Sequence, residues 1–141
     1  MKTSGLNIEH NARNPHQGRA KKVLFVCSAG LLRSPTIAQM AASQLGYNTR
    51  ACGSVTSIAL IPLSTALAFW ADEIVFVHED VYSGLSSEEK DYIGNLEHVN
   101  GVQVSVLDIP DNFAYSDPEL CDIIYEQYIY PEMSGITAKT K

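Results

Sequence analysis

From residue 22 onward, short apolar runs alternate with stretches whose apolar residues recur at helical spacing. Continuous β-prone runs occupy residues 23–26, 74–77 and 102–107, and a weaker run occupies residues 47–52. Such runs are typical of strands that are buried on both faces of a parallel sheet. The pattern therefore predicts four strands.

The stretches between these runs predict helices. The first begins at Ser34-Pro35, where a favoured N-cap residue precedes a proline that fits the first helical position. Strands that alternate with helices indicate βαβ units, so we expect a three-layer α/β/α domain with its ligand site at the carboxyl ends of the strands. The other predicted helices cover residues 62–71, part of 80–96 from the helix start at Ser86, and a segment from Asp117-Pro118 that stops before Pro131.

Composition narrows the class of protein. The chain has 141 residues, 45% of them apolar, which suits one globular domain that needs no disulfide or metal. Three scattered cysteines do not form the spacing of a disulfide framework or of a zinc site. The sequence shows no membrane-spanning run and no secretory signal, so we expect a cytoplasmic protein.

Charge divides the chain unevenly. The net charge is −6, but residues 1–22 carry +4 and residues 23–141 carry −10. An acidic body repels nucleic acid and anionic membranes, so we expect neither as a partner. We divide the chain into a flexible basic leader (1–20), an α/β domain (21–131) and a polar C-terminal tail (132–141).

The loop after the first predicted strand carries the candidate chemistry. It begins at Cys27 and continues to Arg33 and Ser34, a C-x5-R-S spacing. Five intervening residues can curl so that their backbone N–H groups surround one phosphate, and the following helix adds its positive N-terminus. Both effects stabilise a Cys27 thiolate, which makes it a nucleophile. Arg33 can grip two phosphate oxygens, and Ser34 can hydrogen-bond the sulfur. The predicted substrate cradle consists of Ser28, Ala29, Gly30, Leu31 and Leu32.

These motifs resemble those of the low-molecular-weight protein tyrosine phosphatases, especially a prokaryotic branch of predicted tyrosine phosphatases. The resemblance rests on three segments and spans about residues 21–130. It implies a four-stranded parallel sheet of order 2-1-3-4 and hydrolysis of phosphate esters through a cysteinyl-phosphate, without metal or cofactor. The implied partner is a phosphotyrosine-bearing protein or a small aryl phosphate, and we expect a monomer. The segments are residues 23–35, 70–77 and 107–120.

The reaction also needs an acid, which the family takes from a loop after the fourth strand. Asp108 and Asp111 both lie there. Asp111 matches the family position better, because an aromatic residue follows it closely. The neighbouring Phe113 and Tyr115 would wall the pocket against an aromatic substrate. We therefore assign Asp111 as the general acid and keep Asp108 as the alternative.

The sequence departs from the family at two loop positions. Gly30 stands where relatives carry an asparagine that braces the loop, and Leu32 stands where relatives carry a second cysteine. The first change keeps open an inactive phosphate-binding or interaction module. Arsenate reductases share the fold and are a further alternative, although they use two additional cysteines and no cysteine lies between Cys52 and Cys121.

Overall fold

The computed structural model describes residues 20–28, 33–54, 61–110 and 117–134. Four strands form one sheet, and all pairs of neighbouring strands run parallel. The apolar runs thus became strands, displaced from the predicted bounds by about one residue. The strands are β1 (Lys22–Cys27), β2 (Asn48–Gly53), β3 (Glu73–Phe76) and β4 (Gln103–Val106).

The strand order is β2-β1-β3-β4, which confirms the predicted order 2-1-3-4. Because β2 and β3 lie on opposite sides of β1, the right-handed connections that follow β1 and β2 place their helices on opposite faces of the sheet. The result is a three-layer α/β/α fold. The reversal of direction at β1 opens a crevice at its carboxyl end, where open α/β sheets bind ligands.

Helices cover the sheet. Helix α1 packs against β1 and β2 and contacts α5, whereas α2 contacts β1 and α4. Within the residues that the structure describes, no helix is long and apolar enough to cross a membrane. The helices are α1 (Arg33–Leu45), α2 (Thr65–Trp70), α3 (Glu79–Ser83), α4 (Ser87–Asn100), α5 (Pro118–Ile124) and α6 (Tyr130–Ser134).

Local capping explains where most helices begin. Ser86 accepts a hydrogen bond from the backbone of Glu89, whose side chain accepts one from the Ser86 backbone, so the predicted start of α4 is a complete capping box. Asp117 caps α5 by accepting from the Glu119 N–H at 2.9 Å. Helix α1 begins at Arg33, one residue before the predicted N-cap Ser34.

The last helix differs from the prediction, which stopped it before Pro131. Helix α5 leads into a π-helical turn, Tyr125–Ile129, and then into α6, which continues to Ser134. A proline lacks an N–H, and its ring collides with the carbonyl four residues back in an α-helix. The wider π turn directly before Pro131 relieves that collision, so the chain stays helical.

A polar cluster is buried at the amino end of the sheet. Glu73, fully buried at the start of β3, accepts hydrogen bonds from Tyr128 at 3.0 Å and from Ser105 at 2.9 Å. Lys21 lies 3.0 Å from the same carboxylate and 3.6 Å from Glu132. These contacts satisfy the buried charge and fix the C-terminal helical segment to the sheet.

We expect this cluster to make the protein sensitive to alkali. Burial, and then the negative charge of Glu73, raise the pKa of Tyr128 above its ordinary value. The folded state therefore keeps a proton on Tyr128 that the unfolded state loses above about pH 10. Below that pH the contribution of this group to the free energy of unfolding is intact. Above it, the free energy of unfolding falls by about 1.4 kcal/mol per pH unit. Urea unfolding between about pH 8 and pH 11 measures this slope. Tyr128→Phe should reduce it, and an equal slope in both proteins would contradict the assignment.

Candidate active site

Cys27 ends the inner strand β1 at the carboxyl edge of the sheet. It pairs with Gly53 of β2, and only 3% of its surface is exposed. The strand before it is fully buried from Val23 to Val26. A thiol at this position is held by a buried strand that is paired on both sides, and it lies where a ligand at the end of the strand can reach it.

Ser34, in the first turn of α1, places its hydroxyl 3.1 Å from the Cys27 sulfur, and either atom can donate. The same hydroxyl lies 3.4 Å from the backbone carbonyl of Cys52. A hydroxyl has one proton to donate and can accept in return. The Ser34 hydroxyl can therefore accept a hydrogen bond from a Cys27 thiol while it donates one to the Cys52 carbonyl. It can also turn and donate a hydrogen bond to a Cys27 thiolate. The predicted contact of Ser34 with the sulfur is present.

Arg33 is the first residue of α1 and is 5% exposed. Its Nη1 donates to the carbonyl oxygen of Ile109 at 3.0 Å. Ile109 follows β4, so this bond joins the Cys27 loop to the loop that follows the last strand. A buried guanidinium keeps a positive charge in surroundings of low dielectric, where its attraction for an anion is stronger than in water.

Asp108 is held at the same edge of the sheet by His78. The His78 Nδ1 accepts a hydrogen bond from the Asp80 N–H at 3.1 Å, which places the imidazole proton on Nε2. That Nε2 lies 3.2 Å from Oδ1 of Asp108, whose side chain is 87% exposed. The orientation of this carboxylate is therefore set by a histidine at the end of β3.

The remaining cysteines are not placed for nucleophilic chemistry. Cys52 is fully buried on β2, and burial, followed by the neighbouring Cys27, raises the pKa of its thiol. Cys121 is half-buried in α5. Across the described ranges, no group of three or more His, Cys, Asp or Glu side chains is arranged to hold a metal ion.

The structure thus brings Cys27, Arg33 and Ser34 together, with Ser28 half-buried directly after the strand. The sequence alone did not indicate Ile109, His78 or Gln127, because their contacts cross between elements and no local motif marks them. A signal for Ile109 was Pro110, which restricts the residue before it to an extended backbone. The predicted residues outside the described ranges are Ala29, Gly30, Leu31, Leu32, Asp111, Phe113 and Tyr115.

Comparisons with known proteins identify the fold. No family model and no curated protein matches the chain. The YwlE arginine phosphatase from Geobacillus stearothermophilus superposes with a TM-score of 0.55 at 16% identity, covering 82% of this chain and 94% of its own. A YwlE arginine phosphatase mutant with a phosphorylated active-site serine gives a TM-score of 0.52 at 20% identity, covering 80% and 95%.

A third solved structure is the tyrosine phosphatase Wzb from Escherichia coli K30 in complex with phosphate. It gives a TM-score of 0.46 at 13% identity and covers 74% of this chain and 88% of its own. The fold rests on the two YwlE structures. Together with the observed strand order, they confirm the fold that the resemblance to low-molecular-weight phosphatases implied.

Proposed function

We propose that the chain is a cysteine-dependent phosphomonoester hydrolase that acts on phosphotyrosine and related aryl phosphates. The observation that carries the proposal is the contact of 3.1 Å between the Cys27 sulfur and the Ser34 hydroxyl, at the carboxyl edge of the sheet. The buried Arg33 lies next to Ser34 in the same helical turn. In this proposal Cys27 is the nucleophile, Ser34 stabilises it and Arg33 binds the phosphate. All three lie at the end of one strand or the start of one helix.

The first half of the reaction transfers the phosphoryl group to sulfur. The Cys27 thiolate attacks phosphorus and forms a P–S bond, while the P–O bond to the leaving group breaks. Arg33 and the backbone N–H groups of the loop stabilise the equatorial oxygens, on which charge accumulates. Asp111 donates its proton to the departing oxygen, which leaves as a phenol.

The second half releases phosphate. Water attacks phosphorus and gives its proton to the Asp111 carboxylate, while the P–S bond breaks and its electron pair returns to Cys27. The Ser34 hydroxyl, turned away from the Cys52 carbonyl, donates to the departing sulfur. The two hydrogen-bonding options of Ser34 therefore correspond to the thiol and thiolate forms of the nucleophile.

The depth of the nucleophile favours a long phosphorylated side chain, such as phosphotyrosine, over phosphoserine. With 3% of its surface exposed, Cys27 is reached only by a phosphate that enters the crevice. The ring of phosphotyrosine carries its phosphate farther from the peptide backbone than the single methylene of phosphoserine does. Phe113 and Tyr115 are the aromatic side chains that we assign to contact this ring.

Arsenate reduction is less well supported by the same site. That chemistry passes oxidation from the first cysteine to two further thiols, which must ionise in turn. Cys52 is fully buried and its pKa is raised, so it does not supply a thiolate, and the sequence has no cysteine between it and Cys121. The hydrolase interpretation needs no second thiol.

The acid assignment makes a testable prediction. Asp108 is exposed and turned toward His78, so Asp108→Asn should change turnover of p-nitrophenyl phosphate by no more than about threefold. Asp111→Asn removes the proton donor and should lower kcat by about 10²-fold. The loss should be larger with phenyl phosphate, whose leaving group depends more on protonation. Steady-state kinetics on both esters measure the two effects.

The same assays test the proposed function. Wild-type turnover of the aryl esters no faster than that of Cys27→Ser would refute the hydrolase and favour the inactive binding module. A greater loss from Asp108→Asn than from Asp111→Asn would reverse the acid assignment. Peptides that carry phosphotyrosine, phosphoserine or phosphoarginine then compare substrate classes. Faster release from phosphoarginine would move the specificity to the class named for the YwlE enzymes.

A further inference from the structure

The side chain of Gln127 is bonded to the backbone of the loop that follows β4. Its Oε1 accepts a hydrogen bond from the N–H of Asp108 at 2.8 Å, and its Nε2 donates to the carbonyl oxygen of the same residue at 2.8 Å. Gln127 is half-buried in the π-helical turn. One rigid amide thus holds both polar groups of a residue that lies next to the candidate active site.

The peptide group between Asp108 and Ile109 is consequently fixed at both ends. Gln127 holds its carbonyl oxygen, and its N–H, which belongs to Ile109, donates to the Val77 carbonyl at 2.9 Å. Ile109 itself is fully buried, so its side chain does not allow the backbone to turn. Gln127 and the end of β3 together determine the plane from which the next carbonyl projects.

That next carbonyl, on Ile109, is the acceptor for Arg33 Nη1 at 3.0 Å. Pro110 follows it, and a proline confines the preceding residue to extended ψ values. With the preceding peptide plane fixed, ψ confined by Pro110 and the Ile109 side chain buried, the Ile109 oxygen is confined to a narrow range of directions. The guanidinium that bonds to it is oriented in turn.

We infer that Gln127 is a positioning residue for Arg33, acting through the Asp108–Ile109 backbone. The inference rests on the proposed function, in which Arg33 grips the phosphoryl oxygens. Gln127 touches neither the substrate nor the reacting atoms in this arrangement. Its role is to keep the guanidinium fork in register with the phosphate, because small displacements of a catalytic group slow a reaction strongly.

Two substitutions at Gln127 and one beside it test this role. Gln127→Leu removes both polar atoms at similar volume. Gln127→Glu keeps an acceptor for the Asp108 N–H but sets a carboxylate oxygen against the Asp108 carbonyl. Glu126→Gln, at an exposed neighbour in the same turn, is the matched control. The readouts are kcat and KM for p-nitrophenyl phosphate, vanadate inhibition, inorganic phosphate affinity by calorimetry, and Tm.

Positioning predicts a specific pattern. Gln127→Leu and Gln127→Glu should lower kcat/KM by about tenfold and weaken vanadate inhibition in parallel, because both depend on the aligned guanidinium. The control should stay within about twofold of wild type. A brace that only stabilised the helical segment would lower Tm and leave vanadate inhibition unchanged below the transition.

A double-mutant cycle separates action through Arg33 from a parallel effect. In an Arg33→Lys background, Gln127→Leu should cost less than about twofold, because the group it positions is absent. A full additional tenfold loss there, or a Gln127→Leu enzyme as active as wild type, would overturn the inference and leave the proposed function intact. A wild type that neither hydrolyses aryl phosphates nor binds phosphate would overturn both.

Discussion

Replacing Cys27 with serine is expected to abolish hydrolysis while leaving phosphate binding in place. The proposed mechanism uses the Cys27 sulfur as the nucleophile, and a serine hydroxyl is a much weaker nucleophile at neutral pH, so kcat for p-nitrophenyl phosphate should fall by about 10⁴-fold or more. The backbone N–H groups and Arg33 remain, so the affinity for inorganic phosphate should stay within a few-fold of wild type. Stopped assays and calorimetry on the same sample separate the two quantities.

Cys121→Ser is the matched control for this change. Cys121 is half-buried in α5, where the same exchange of sulfur for oxygen should leave kcat within about twofold of wild type. Equal losses in both variants would mean that the serine acts through folding rather than chemistry. Wild-type turnover in Cys27→Ser would mean that sulfur takes no part in the reaction.

Arg33→Lys is expected to lower kcat about as much as loss of the general acid does, although it keeps the positive charge. Lysine is a point charge without the planar fork that grips two oxygens, and it does not reproduce the Nη1 bond to the Ile109 carbonyl. We expect kcat to fall by about 10²-fold and vanadate to bind more weakly, because the fork matters most where charge accumulates on the phosphoryl oxygens. Arg33→Ala should be worse.

The charge distribution makes the Arg33 prediction sharper. Residues 23–141 carry −10, and Arg33 is the sole charged residue in the sequence between Lys22 and Arg50. Attraction of an anionic substrate must then come from the local loop and this guanidinium rather than from the overall field. Arg50→Lys, at a half-buried arginine stacked 4.4 Å from the Trp70 ring, is the matched control. Because both changes keep the charge, losses of similar size at both arginines would mean that the effect at Arg33 does not depend on its position beside Cys27.

Much of the fold could be predicted because its strands are local in sequence. Each apolar run that became a strand is bounded by residues typical of turns or helix starts. The four residues from Ser86 to Glu89 predicted the start of α4, where the structure has a capping box. The strand order came from the resemblance to a known family rather than from periodicity. A single apolar run does not indicate which other strand it will pair with in the sheet.

The helical segment after Asp117 shows where such reasoning fails. The prediction treated Pro131 as a stop, since a proline interior to an α-helix costs about 3 kcal/mol. The structure keeps the helix by widening the turn before the proline, with the Tyr130 N–H bonded to the Tyr125 carbonyl. Gln127 and Tyr128, both within that turn, make tertiary contacts that the local sequence does not indicate.

The candidate site divides in the same way. Cys27, Arg33 and Ser34 lie within one stretch of eight residues, and their position between a predicted strand and a capped helix marked them as candidates. The contacts that we infer to orient Arg33 come from Ile109, Val77 and Gln127, which are distant in sequence. The contact between Cys27 and Ser34 was therefore predictable, while the contacts from distant residues were not.

The π-helical turn also limits which insertions and deletions the C-terminal helical segment can accept. Gln127 reaches the loop after β4, and its neighbour Tyr128 reaches Glu73 at the opposite end of the sheet. A π turn holds one residue more than an α-helical turn, so deleting one residue from it would restore an α-helix and change the directions of the side chains within the turn. Gln127 and Tyr128 both lie within that turn, so a deletion within residues 125–129 should break at least one of their two contacts.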